Sequence, residues 1–287
     1  MGPSLGSFCF STPVILANFP APSDADHSRR RYNSGMFAID LNADLGETTA
    51  GNPVADDAAM LELVSSANVA TGFHAGDPHS IASTLAAAAA AGVAVGAHPA
   101  YNDPAAFGRR FVDYDPSELA DEILYQLGAL DALAKANGTR VSYVKPHGAL
   151  YNTIVHHEAH ARAVIDGIRA FSAELPVMLL PGGVAVGVAE RAGLRVVKEA
   201  FADRGYNPDG TLVSRREANA VMKDPEDVAR RVLQVAETGS VTAINGSTVN
   251  VEAESVCVHG DSPGAVEMTR RVAARLGEEG IAIRSFL

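Results

Sequence analysis

The sequence predicts a barrel of parallel β-strands wrapped in helices, and two observations carry that prediction. From Met36 onward, seven short apolar strands alternate with longer helical segments. Such alternation calls for a parallel sheet covered by helices on its outer face. Nearly every strand then ends in a cluster of polar residues. In a closed barrel all these clusters open on one C-terminal face. An open doubly wound sheet would gather ligands at its switch point and leave several of them idle. The expected class is therefore α/β, a seven-stranded (β/α) barrel.

The strands are expected at Ala38–Leu41, Asn68–Thr71, Val93–Ala97, Val141–Val144, Val177–Leu180, Val196–Lys198 and Val256–Val258. Helix starts between them can be named. Asp115-Pro116-Ser117-Glu118 offers an N-cap, a proline at the first helical position and a carboxylate at the third. Leu119, Ile123, Leu127, Leu130 and Ala134 then recur at helical spacing. Asp77-Pro78, Asp224-Pro225 and Ser262-Pro263 repeat the cap-then-proline pattern. The alanine-rich run from Ala86 to Ala97 reads as a close-packed helix followed by a strand. Val241–Val251 breaks the alternation, and Asn245-Gly246 inside it predicts a hairpin turn.

Residues 36–287 are expected to form a single barrel domain. Residues 1–35 are rich in Pro, Ser, Asn and Arg and read as a disordered tail, or as the product of a start placed too early. Their basic residues follow the apolar Val14–Leu16 instead of preceding it, the reverse of a signal peptide.

Composition excludes several classes. With 287 residues, 47% of them hydrophobic, the chain can bury a large core. Its net charge is −11 and its basic residues are scattered, which argues against a nucleic-acid-binding face. Two cysteines are too few for a disulfide framework or a cysteine-rich zinc site. They suit a reducing cytosol, so a cytoplasmic location is expected. No stretch approaches the roughly 20 apolar residues that span a bilayer.

The polar clusters follow the strands in order: Asn42, Asp44 and Glu47; His74 and Asp77; His98, Tyr101 and Asp103, leading to Arg109-Arg110; Lys145, His147, Tyr151 and Asn152. Gly182-Gly183, then Glu199, Asp203 and Arg204, then His259 and Asp261 complete the series. Asp40–Glu47, Ser66–Pro78, Gly92–Arg110, Lys145–Asn152, Glu199–Arg216 and Val256–Pro263 resemble successive motifs of the LamB/YcsF family, the A subunits of 5-oxoprolinase. Lys145-Pro-His-Gly-Ala-Leu-Tyr-Asn152 is the most specific of them. The likeness runs from about residue 37 to 285. Thr71 stands where the family often has cysteine, and Asn102 and Ala106 where proline and glycine are usual.

The resemblance implies a barrel of the glycoside hydrolase/deacetylase kind and ATP-dependent opening of 5-oxo-L-proline to L-glutamate. It also implies two partners, subunits B and C. On this reading Asp44, His74, Lys145 and His147 are the catalytic candidates. Arg109, Gly182, Gly183, Asp203, Arg204, His259 and Asp261 are candidates for holding substrate or phosphate. ATP with Mg²⁺ is the expected cofactor; a divalent metal at the barrel mouth, on Asp44, His74 and His98, belongs to the alternative reading of a metal-dependent deacetylase or amidohydrolase.

Several of these residues also have plainer readings. Asp77 and Asp261 can be helix caps, Glu47 a solvated loop residue, and Arg109-Arg110 or Asp203-Arg204 local charge pairs. His156, His157 and His160 read as a solvated helix face. No Walker-type lysine follows Gly182 and Gly187, where Val188 stands instead, so ATP would have to use the mouth loops. There Gly182-Gly183 can present a helix start to phosphate. Two other functions stay open from sequence: a stand-alone metal-dependent deacetylase or amidohydrolase, and a non-catalytic ligand-binding subunit.

Overall fold

The computed structural model describes residues 37–218, 220–260 and 264–287. The expectation of a disordered tail over 1–35, and those for Asp261 and the Ser262-Pro263 cap, lie outside the described residues.

Seven parallel strands close the barrel: β1 (Ala38–Leu45), β2 (Ser66–Ala70), β3 (Ala94–His98), β4 (Val141–Val144), β5 (Val177–Leu179), β6 (Val196–Phe201) and β7 (Ser255–Cys257). Neighbours in sequence are neighbours in the sheet, and β7 returns to β1 through Asp40↔Ser255, Leu41↔Val256 and Asn42↔Cys257. A last short strand, Ala282–Ile283, adds to the outer end of β1. The hairpin is present as Ser240–Thr242 against Thr248–Asn250.

The helices begin where their caps predict. Asp77 closes a capping box at α2 (Pro78–Ala91), with Gly92 in the left-handed conformation ending it. Asp115 accepts from the Ser117 N–H at α3 (Pro116–Ala136), and Asp224 from Glu226 and Asp227 at the helix Pro225–Thr238. A five-residue helix, α1 (Asp57–Leu61), has no counterpart among the sequence expectations.

Two of the strands run further than their apolar runs suggest. β1 continues through Asn42 and Asp44, and β6 through Glu199. The physical reason is that the two faces of these strands meet different surroundings. Ile39, Leu41, Ala43 and Leu45 join the hydrophobic layer under the helices. Asp40, Asn42 and Asp44 alternate with them and point into the barrel, where polar partners from other strands meet them.

The interior is layered. At its closed end Tyr143, Met178, Val197 and Phe286 pack together as a small separate cluster, so the C-terminal segment plugs the barrel from below. The Tyr143 ring lies across β3, where a Cβ on Gly96 would fall 2.2 Å from it; only glycine fits there. Beside this plug sits Asp40. It accepts hydrogen bonds from Ser65 and Ser66 at 2.6 and 2.7 Å, and from Ser255.

Burial raises the Asp40 carboxyl from 3.8 to about 6 despite these hydroxyls. Folded Asp40 thus holds its proton over a range where the unfolded residue has lost it. Its contribution to stability is full below about pH 4 and is lost as pH rises through 6. Asp40→Asn removes the ionisation. Denaturant titrations should show the stability of wild type relative to the variant falling by about 3 kcal/mol between pH 4 and 7. A constant difference across that window would mean that Asp40 titrates normally.

Candidate active site at the barrel mouth

A cavity of about 460 Å³ opens at the C-terminal ends of the strands. Asp44 from β1, His98 from β3, Lys145 and His147 after β4, Phe201 from β6 and His259 after β7 form its floor and walls. Arg109, Arg204 and Arg215 reach it from the loops.

Lys145 is the centre of the floor. Its ammonium shares three N–H donors among four acceptors, Glu199 at 2.8 Å, Asn42 at 3.0 Å, Cys257 Sγ at 3.1 Å and Asp44 Oδ1 at 3.2 Å. Burial works against a charged lysine, but the carboxylates of Asp44 and Glu199 outweigh it and hold the group well above its ordinary pKa. Lys145 is therefore a fixed cation and not a proton acceptor. The same pairing acts on Asp44. Burial alone would raise this carboxyl, yet His98 and Lys145 keep it well below the usual range and ionised. Glu199 also takes hydrogen bonds from Tyr151 at 2.8 Å and Asn42 at 3.1 Å.

Beside this floor lies an imidazole cluster. Glu47, His74, His98 and His147 are all buried, and one donor atom from each lies within 4.8 Å of the others. His74 and His147 stack at 3.8 Å. Burial lowers the pKa of both well below the normal value, and the neighbouring imidazoles add to the effect. Gly108 makes this packing possible. It sits at φ +62°, and a Cβ there would lie 2.8 Å from His74 Cβ and 2.9 Å from His147 Cδ2.

On the other side of the mouth, His259 Nδ1 meets Asp203 at 2.7 Å, and Arg215 approaches His259 Nε2 at 3.3 Å. Burial opposes protonation of His259, but Asp203 outweighs it and raises the pKa.

Most of the residues expected from sequence thus converge, with several corrections. His74 stands behind His147 and Glu47 and does not line the cavity. The expected metal set divides: His74 and His98 group with Glu47 and His147, while Asp44 groups with Cys257 and His259. Glu47 is buried and not a solvated loop residue.

Arg110 pairs with Asp103, and Arg109 lines the cavity with its guanidinium over the Phe107 ring. Asp203 and Arg204 do not pair with each other. The Arg204 guanidinium donates to the Val213 and Ala220 carbonyls and bolts down its own loop.

Gly182 and Gly183 lie off the cavity. The helix that Gly183 begins, Val184–Arg191, already directs its Val184 and Ala185 N–H groups to the Val155 and Ile154 carbonyls. That start is therefore closed to phosphate. His160 is buried against the Tyr101 hydroxyl at 2.6 Å instead of facing solvent; His156 and His157 are exposed as expected.

The family model of LamB/YcsF proteins matches residues 39–287. The chain belongs to the LamB/YcsF family. It is 71% identical to the 5-oxoprolinase A subunit of Corynebacterium jeikeium, over 88% of this chain and 97% of that one. Identity to the 5-oxoprolinase A subunit of Kocuria rhizophila is 60%, over 88% and 100% of the two chains. In three dimensions the LamB/YcsF barrel superposes on the lactam utilization protein from Thermus thermophilus. The TM-score is 0.83 at 43% identity, covering 87% of this chain and 100% of that one. Among the described residues no helix is long and apolar enough to cross a membrane.

Glu199 and Cys257 escaped the candidate set because they lie within strands. Asp40-x-Asn42-x-Asp44 was the available signal: three polar residues at period two, on a strand whose alternate residues are apolar.

Removing Lys145 would strand Asp44 and Glu199 without their cation. Lys145→Met is expected to cost about 3–5 kcal/mol in unfolding free energy. Adding Glu199→Gln should recover part of the loss, because it removes one of the carboxylates left alone. A Lys145→Met variant as stable as wild type would show that the carboxylates do not need the ammonium.

Proposed function

We propose that this chain is the A subunit of a cytoplasmic 5-oxoprolinase that opens 5-oxo-L-proline to L-glutamate at the expense of ATP, in complex with subunits B and C. One observation carries the reading: the mouth cavity sets an ionised carboxylate, Asp44, between a fixed cation and an imidazole cluster, with arginines on the facing loops. The relatives that share this sequence at 60–71% identity are named as 5-oxoprolinase A subunits, and the structural neighbour is a lactam utilization protein.

A lactam is a resonance-stabilised amide and a poor electrophile. Transfer of the γ-phosphoryl group of ATP to its carbonyl oxygen removes that resonance. Water then adds to the ring carbon, the carbon–nitrogen bond breaks with a proton passing to nitrogen, and an acyl phosphate remains. A second water releases phosphate and glutamate. Asp44 is the base that takes the proton from the attacking water. Lys145 keeps it ionised and stabilises negative charge on the reacting oxygens. Arg109 holds the substrate carboxylate through its forked donors. Phosphoryl transfer, with ATP and its Mg²⁺, is assigned to the complex with subunits B and C. The closed helix start at Gly183 and the missing Walker lysine support that division.

The test is reconstitution. The isolated chain given ATP, Mg²⁺ and 5-oxoproline should form no glutamate, and adding subunits B and C should start ATP-coupled formation. Asp44→Asn should assemble normally and lower the rate by about 100-fold or more. Steady turnover by the isolated chain would favour a stand-alone amidohydrolase. Full turnover by a complex containing Asp44→Asn would reduce the chain to a ligand-binding role.

A further inference from the structure

The hydrogen bonds around the imidazole cluster fix which ring nitrogens carry protons. His98 Nδ1 lies 2.7 Å from the Lys145 carbonyl oxygen, and His147 Nε2 lies 2.9 Å from that of Phe107. A carbonyl oxygen only accepts, so both of these nitrogens must be N–H. In the neutral rings the other two nitrogens, His98 Nε2 and His147 Nδ1, are then bare lone pairs. They face each other at 2.9 Å. Carboxylate oxygens close in on the same place. Glu47 Oε1 is 3.6 Å from His147 Nδ1, and Asp44 Oδ2 is 3.4 Å from His98 Nε2. With both rings neutral, these two lone pairs face each other beside Asp44 Oδ2, and Glu47 Oε1, which accepts from His74 Nε2 at 3.0 Å, lies next to them; facing lone pairs repel unless a cation lies between them.

From this we infer that His98 Nε2, His147 Nδ1 and the Glu47 carboxylate form a divalent transition-metal site, with Asp44 Oδ2 completing it from the cavity side. Two imidazoles and carboxylates are a donor set that suits zinc. Zinc–nitrogen bonds of about 2.0–2.1 Å in a tetrahedron place donor atoms about 3.3 Å apart. The separations of 2.9, 3.4 and 3.6 Å bracket that value. The backbone carbonyls behind His98 and His147 are the partners that orient ligating imidazoles. His74 is a positioning residue here, with Nε2 at 3.0 Å from Glu47 Oε1. Its buried Nδ1 has no hydrogen-bond partner among the described residues. Glu47, His98 and His147 all border the cavity, so the ion would face whatever binds there.

The site shares Asp44 with the chemistry proposed above, and its test does not use turnover. The full chain, stripped with a chelator and dialysed, is titrated with Co²⁺ and Zn²⁺. One ion per chain should bind. Co²⁺ should give the visible absorption of a four- or five-coordinate site, and Zn²⁺ should raise the melting temperature as mass action requires. His98→Ala and His147→Ala should each weaken binding by more than about 100-fold, beyond the 10–100-fold that loss of a supporting partner costs. His156→Ala, an exposed histidine outside the cluster, should bind as wild type does. If either cluster variant fails to fold, the wild-type titration decides alone. Wild-type protein that binds neither ion at about 10 μM would overturn the site, as would binding that survives both substitutions. A proton held between His98 and His147, seen as imidazolium ¹⁵N shifts unchanged by added Zn²⁺, would overturn it too.

Discussion

The Lys145 ammonium is the constraint around which the interior is organised. One buried cation just past β4 meets acceptors from β1, β6 and β7, on the far side of the barrel from its own strand. Most barrels of this kind fill their centre with branched aliphatic side chains. Here the centre is polar, and a polar centre is tolerable only if each group finds a partner. Lys145 neutralises two carboxylates at once. Around it Asn42 donates to Glu199 and Ser255, and Asn68 donates to Asn42 and Asp44 and accepts from Tyr143. The network joins floor to plug without a break in hydrogen bonding. It also explains why β1 and β6 stay in register through residues that would otherwise end a strand.

That network divides the mouth into two electrostatic regimes. On one side Asp44 and Glu199 are balanced by Lys145, so the floor is ionic and rigid. On the other, His74 and His147 are driven neutral by burial and by the neighbouring imidazoles. A neutral imidazole pair beside an ionised carboxylate offers lone pairs and negative charge together, whereas three imidazolium ions in that volume would repel. The facing loops supply the opposite sign through Arg109, Arg215 and the Asp203-supported His259. A small anionic substrate entering such a cavity meets cationic groups at the rim and acceptors at the floor, which orients it before any reaction.

The barrel was legible because its signals are local. Proline after aspartate at 77–78, 115–116 and 224–225 sets helix starts through single caps, and short apolar runs mark each strand. The polar ends of those strands pointed to one face, and Asp44, His98, Lys145, His147, Arg109 and His259 do meet there. What stayed illegible depends on where a side chain points. His74 lies one position in space behind the wall, a fact set by the left-handed Phe107-Gly108 turn that brings its loop against it. Gly183 looked like a phosphate cradle because glycine before a helix permits one. The neighbouring Ile154-Val155 segment takes those N–H groups first. Glu199 was read as lying just past its strand and Cys257 as an ordinary strand residue, because nothing local shows that both face a polar barrel interior.

The same reasoning bears on why Gly148 follows His147 in the most specific motif. Gly148 sits at φ +52°, and a Cβ there would lie 2.7 Å from the Gly108 carbonyl oxygen. The Ala149 N–H bonds to that same carbonyl at 2.9 Å, and the His147 N–H bonds to Pro99 at 2.8 Å. The loop after β4 is therefore sewn to the loop after β3 on both sides of the histidine. With its backbone fixed and its Nε2 committed to Phe107, the His147 ring has no freedom to turn its Nδ1 away from His98. The glycines thus impose the meeting of two lone pairs that the side chains alone would avoid. The fold holds an unfavourable contact in place by backbone geometry, and only a positive charge at that point relieves it.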